Sequence, residues 1–217
     1  MIEVLNSAIN EVLWPTRCAI CDKPGEIICE ECLRKLPYID INKSCKICGE
    51  PYGFCQCCGI HSNIKQTISA TLLNKDSGHI ISIYKDAGEL RLARLIANIM
   101  YSYMPRNWIF DSLTYIPSSK NAYNKRGYDH AKILAETFSE ISGKPVIEIF
   151  DRPTTLDQRK LTKSERSQNI KIKVKNSPPC NSILLIDDVY TTGATLNACA
   201  SQLKVNNIYA LTFTRTF

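Results

Sequence analysis

Ile183-Leu184-Leu185-Ile186-Asp187-Asp188-Val189-Tyr190-Thr191-Thr192-Gly193-Ala194-Thr195 is the stretch on which the fold of this chain turns. The run from Ile183 to Ile186 has the length and branching of a strand buried on both faces, and it is expected to stop at the two adjacent acids. Carboxylates at the carboxyl end of a buried strand cost desolvation unless they are partnered, and vicinal hydroxyls or a hydrated cation are natural partners. Thr191 to Thr195 then place hydroxyl donors and a permissive glycine before Leu196 to Leu203, a helical segment. Backbone N–H groups at such a junction converge on an anion, here a phosphate. The bland alternative is a buried strand, an acidic turn and a helix cap met by chance. The arrival of apolar run, acids and loop in that order argues against it.

Together these features resemble the thirteen-residue 5-phosphoribosyl 1-pyrophosphate (PRPP) binding motif of type I phosphoribosyltransferases, matched without a gap. The resemblance implies an α/β fold: a type I phosphoribosyltransferase-like parallel sheet flanked by helices.

With 217 residues and 44% hydrophobic content, the chain can form one sizeable domain and a small appendage. No apolar run approaches the ~20 residues that span a bilayer, and Met1 to Pro15 carries Glu3 and Glu11 with no basic leader, so a cytoplasmic location is expected. Much of the basic excess behind the +6 net charge lies in Lys120–Lys132 and Arg159–Lys175. These stretches are either solvated faces or surfaces for a phosphate-rich ligand or nucleic acid.

Nine of the 11 cysteines crowd between Cys18 and Cys58. They form four pairs of spacing two: Cys18 and Cys21, Cys29 and Cys32, Cys45 and Cys48, Cys55 and Cys58. One such pair grips a zinc ion from a single tight turn, and two complete a tetrahedron, so four pairs suffice for two sites. Spacing leaves sequential and interleaved pairing open. Cys57 reads as a bystander, and His61 could substitute as a ligand. Full thiolate coordination leaves no open position for water, so the zinc is structural in this reading.

Along the rest of the chain, 2–13 has helical spacing, and the polar stretch 59–66 marks a boundary between a cysteine-rich zinc-binding module (1–62) and a phosphoribosyltransferase-like domain (63–217). Strands are expected at 68–73, 113–116, 146–149, 170–174 and 208–213, and helices at 88–104 and 128–141. Lys85 is placed equally well toward the ligand or on the surface. Pro117 to Gly127, with Lys120, Lys125 and Arg126, reads as a basic loop at a strand's carboxyl end, suited to pyrophosphate. Residues 151–167, with Gln158, Arg159, Lys160, Lys163, Glu165 and Arg166, read as a long charged loop of the kind that closes over a ligand.

The order Trp14-Pro15, the four cysteine pairs with Cys48-Gly49, Arg126-Gly127-Tyr128, the series Gln158, Leu161, Arg166 and Asn169, and then 183–195 resembles the ComF/ComFC competence family over nearly the whole chain. The resemblance implies a role in natural transformation, with single-stranded DNA handled in the cytoplasm and with competence helicase or uptake-channel proteins as partners. Asp129-His130 stands where that family usually has Asn-Gln, and Tyr84-Lys85 reverses its usual Lys-aromatic order.

In a phosphoribosyltransferase-like protein, Asp187 and Asp188 would hold the ribose hydroxyls or a bound Mg²⁺, which favours a few carboxylates plus phosphate oxygens. Thr191, Thr192, Gly193, Ala194 and Thr195 would cradle the 5-phosphate, and Lys120, Arg126 and Gly127 would meet the pyrophosphate. Any catalysis would rest on positioning and charge stabilisation. Binding PRPP does not entail turning it over, so a metabolic phosphoribosyltransferase without a DNA role and a PRPP-sensing interaction module are the competing functions. Tyr115, Tyr123 and Tyr128 flank the first basic cluster, where they either stack on bases or belong to the core.

Overall fold

A computed structural model describes residues 15–51, 55, 63–153 and 172–216. The apolar run becomes β3 (Ser182–Tyr190), paired on one side with β4 (Asn207–Arg215) and on the other with β2 (Ser112–Tyr115). β1 (Gln66–Leu72) lies beyond β4, so the order is β1-β4-β3-β2, with every pairing parallel. The expected parallel sheet flanked by helices is therefore present. A parallel sheet needs crossovers and cover on both faces. Between β1 and β2 run α2 (Lys75–Ser82), a π-helical turn (Ile83–Ala87) and α3 (Leu92–Tyr103). Between β2 and β3 run α4 (Lys120–Arg126) and α5 (His130–Ser142), and α6 (Ala194–Ser201) joins β3 to β4.

Alternation along β3 divides the core. Leu184 and Ile186 join Ile96, Ala97 and Met100 of α3 and Leu134, Ala135 and Phe138 of α5. Ile183 and Leu185 face the other way, into a smaller cluster with Leu196, Cys199 and Ala200 of α6 and with Ile149 and Phe150. Burying each such side chain is worth roughly 1.5–3 kcal/mol, which is why this short run organises the fold.

Several boundaries differ from expectation. β3 does not stop at Ile186, because β4 keeps pairing with it: Asp187 lies opposite Thr212, Val189 opposite Thr214 and Tyr190 opposite Arg215. The acids therefore sit within the strand. The expected basic loop at 120–127 is mostly α4, capped by the Ser119 hydroxyl on the Ala122 N–H and ended by Gly127 at φ +80°. The helix expected from 88 starts at Leu92, because Gly88 adopts φ +74° and ends the π turn; Leu90 lies outside it and is exposed. α2 was not expected; Asn74 and Ser77 close a capping box at its start. Residues 146–149 form only an isolated bridge, Val146 to Leu113, and Val174 only bridges Phe150.

The expected helix at 2–13, most of the charged loop at 151–167, the start of the strand at 170–174, and the module side of the 62/63 boundary lie outside the described residues. Among the described residues no helix is long and apolar enough to cross a membrane.

The cysteine-rich segment lies along the open edge of β1. Tyr38 bridges Thr71 antiparallel, Ile39 N–H donates to Ala70 O at 3.0 Å, and Leu72 N–H donates to Pro37 O at 2.8 Å. Further along, Thr67 N–H donates to Ile47 O at 2.6 Å. The segment thus satisfies backbone groups that an edge strand would otherwise expose.

Candidate functional site

Two thiol groups form close to one another in sequence. Cys18, Cys21, Cys29 and Cys32 bring their sulfurs within 4.8 Å of one another, with α1 (Glu30–Arg34) carrying the last of them. Cys45, Cys48 and Cys55 form the second group. The pairing is therefore sequential, first motif with second and third with fourth. Cys58, Cys57 and His61 lie outside the described residues. The separations Cys21 Sγ to Cys29 Sγ, 3.6 Å, and Cys48 Sγ to Cys55 Sγ, 3.7 Å, match the ~3.8 Å edge of a tetrahedron with ~2.3 Å zinc–sulfur bonds. Burial tends to raise the Cys18 thiol, but backbone N–H groups of Cys29, Cys21 and Ile20 outweigh it and bring it down to about 6. The donor set fits zinc, and these clusters could hold it in a structural role.

Arg215, at the end of β4, fastens the second cysteine group to the sheet. It is 1% exposed, donates to Cys48 O at 2.7 Å, pairs with the Glu50 carboxylate, and lies 4.6 Å over the Tyr190 ring. Gly49 must be glycine here, since at φ +71° an added Cβ would sit 2.6 Å from Thr67 O.

The second centre lies at the carboxyl end of β3. Asp188 continues the face of Leu184 and Ile186 and is 2% exposed. Its Oδ2 lies 2.6 Å from Lys85 Nζ and 3.3 Å from His130 Nε2. Burial alone would raise its carboxyl; the His130 hydrogen bond and the Lys85 charge win and hold it well below the usual carboxylate range. Burial and then the Asp188 charge push the half-buried Asp187 carboxyl well above that range. Asp187 Oδ1 accepts the Asp188 N–H at 2.9 Å. The basic partners thus gather on Asp188 rather than on Asp187.

Three segments supply this arrangement. The π turn carries Lys85, and Tyr128 Oη donates to Lys85 O at 2.7 Å. Tyr84 Oη donates to His130 O at 2.6 Å, and Arg126 pairs with Asp86 at 2.9 Å. Ser118 Oγ sits 3.1 Å from both His130 Nδ1 and Asp129 Oδ1. Asp129 caps α5 on the Ala131 N–H and pairs with Arg152 at 2.7 Å.

Beyond β3, Thr191 and Thr192 are exposed, Thr192 Oγ1 accepts the Ala194 N–H at 3.3 Å, and α6 starts at Ala194, with Thr195 in its first turn. Gly193 has φ +72°, and a Cβ there would meet Tyr190 Oη at 2.4 Å, so only glycine fits. The loop leads into a helix N-terminus as expected.

Of the pyrophosphate residues expected from sequence, Arg126 joins the acidic network through His130 Nδ1, 3.4 Å away. Lys120 is exposed on α4 and makes no contact with the acids, and Gly127 serves as a helix cap with open space around it. Lys85 turns in to Asp188 rather than lying free on the surface. Ser118, Asp129, His130 and Arg152 went unmarked as site residues; the departure from the family pattern at Asp129-His130 was the available signal. Tyr115 is buried in the core, Tyr128 holds the π turn, and Tyr123 is exposed with Arg152 3.9 Å over its ring.

No family model matches the chain. It is 29% identical over 211 residues to Competence protein ComFC of Bacillus subtilis (strain 168), covering 89% of this chain and 84% of that protein. The chain is a homologue of the ComFC competence proteins. The homology extends to ComFC of Streptococcus pneumoniae (strain ATCC BAA-255 / R6), 25% identical over 86% of this chain and 80% of that one. Competence protein F of Haemophilus influenzae (strain ATCC 51907 / DSM 11121 / KW20 / Rd) is 33% identical over 87 residues, 37% of this homologue and 38% of that protein. Among solved structures, orotate phosphoribosyltransferase from Aeropyrum pernix aligns with a TM-score of 0.34 at 11% identity, covering 68% of this chain and 80% of the other.

Proposed function

We propose that this ComFC homologue is a PRPP-binding protein of natural transformation that handles incoming single-stranded DNA in the cytoplasm. One observation carries the ligand assignment: the ionised Asp188, its neighbour Asp187 and a glycine-dependent loop before a helix N-terminus occur together at the carboxyl end of one buried strand. Asp187 and Asp188 accept hydrogen bonds from the ribose hydroxyls. Thr191, Thr192, Gly193, Ala194 and Thr195 cradle the 5-phosphate, and Arg126 meets the pyrophosphate, whose charge brings Mg²⁺ with it. DNA is met through backbone phosphates by the basic face around Lys120, Lys125 and Arg152, with the exposed Tyr123 ring offering a stacking surface. Zinc in the cysteine groups holds the N-terminal segment in shape.

Calorimetry with PRPP and Mg²⁺ tests the site. Changing Asp187→Ala and Asp188→Ala together is expected to weaken binding by at least about a hundredfold, since two hydroxyl acceptors are lost, the Asp188 one charge-assisted. Unchanged affinity would remove these acids from the site.

A further inference from the structure

Lys85 reaches Asp188 from an unusual piece of backbone. The π turn Ile83–Ala87 ends α2, and such turns cluster at functional positions. It is tied down on three sides: Tyr128 Oη bonds the carbonyls of Lys85 and Tyr84, at 2.7 and 3.3 Å; Arg126 holds Asp86; and Tyr84 Oη bonds His130 O. The ammonium is therefore delivered to a carboxylate that is almost fully buried, while the lysine side chain itself is 22% exposed.

The oxygen that Lys85 approaches is the one His130 Nε2 also faces. A Mg²⁺ ion at that oxygen would need near-ideal octahedral geometry and would keep several waters, for which a 2% exposed carboxylate already flanked by an ammonium and an imidazole leaves little room. Among the described residues, only the two cysteine groups bring three or more metal-donor atoms within 4.8 Å.

We propose that Lys85 is a built-in counter-cation for Asp188: it fills the position a divalent ion would take, so that the free protein leaves the metal to the incoming sugar phosphate and keeps Asp188 ionised for a hydroxyl pair. Lys85 thereby sets what the acidic pair accepts, a vicinal diol rather than a free metal ion. The inference rests on the reading of Asp188 as a ligand-facing acid, and its test requires no PRPP.

Mn²⁺ serves as the probe, followed by electron paramagnetic resonance on the zinc-loaded full chain. Wild type is expected to take up no Mn²⁺ at this position. Lys85→Met should show bound Mn²⁺ at concentrations at least about tenfold below any at which wild type does, because one adjacent positive charge has gone. Adding Asp188→Asn to Lys85→Met should abolish the gain, and Lys85→Arg should behave as wild type. Circular dichroism establishes that each variant is folded. Equal Mn²⁺ binding by wild type and Lys85→Met, or a gain that survives Asp188→Asn, would overturn the proposal. PRPP calorimetry on the same variants keeps the two ideas apart: absence of PRPP binding by wild type defeats the ligand assignment and leaves the Mn²⁺ result standing.

Discussion

The two centres of this molecule are built in opposite ways. The first thiol group draws all its ligands from Cys18 to Cys32, with the Cys29 N–H donating to Cys18 Sγ inside it. The Asp188 centre needs Lys85, Ser118, Arg126, His130 and the end of β3, so its groups span about half the chain. A local site can be specified by spacing, and it can also fail locally. A site assembled over long range borrows its geometry from the core and is as rigid as the sheet beneath it.

Removing metal separates the two centres most sharply. A structural zinc contributes on the order of 10 kcal/mol to the fold that surrounds it. Chelation, or Cys29→Ser, is expected to unfold the cysteine-rich segment while β2, β3 and α5 stay ordered. Hydrogen exchange should show lost protection over 17–48 and retained protection over 182–190. Equal loss in both regions would mean that the edge pairing to β1 makes them one cooperative unit.

The link between them is the next target. Arg215 is nearly inaccessible and pairs with a largely buried Glu50, so Arg215→Met leaves that carboxylate uncompensated, at a cost of about 3 kcal/mol. Denaturant titration reads the loss. The double change Arg215→Met, Glu50→Gln should recover part of it, and no recovery would show that Arg215 acts through Cys48 O and Tyr190 rather than through charge.

The smallest effect concerns the acids. A carboxyl whose folded pKa is raised, as for Asp187, weakens the folded state as pH climbs from the ordinary carboxylate range through that raised value. Asp187→Asn should therefore raise Tm by a few degrees at neutral pH, with the gain shrinking toward pH 4, while weakening ligand binding. Asp188 has the opposite sign: its depressed pKa contributes stability above the ordinary range, lost as pH falls through the folded value. A pH-independent gain in the Asp187→Asn variant would rule out relief of that ionisation.

Much of the fold was legible because its signals are local. The thiol spacings, the apolar run of β3 and the glycine of the loop each express a constraint within a few residues. The ends of elements were less legible. β3 continues through Asp187 and Asp188 because β4 offers partners as far as Arg215, and nothing near the acids in sequence announces that. α4 replaced an expected loop because Ser119 and Gly127 cap its two ends, a signal present but outweighed by the basic composition.

By itself, the sequence determined which residues could grip metal and which strand is buried on both faces, since each follows from short-range spacing or from the pattern of hydrophobicity. Only the tertiary structure decided that the thiols pair sequentially, that Lys85 turns inward to Asp188, that His130 and Ser118 join it, and that Arg215 fastens the cysteine-rich segment to the sheet. Apart from the thiol pairing, these contacts join segments far apart in the chain, and their partners are chosen by the packing of α2, α5 and β4 against one core.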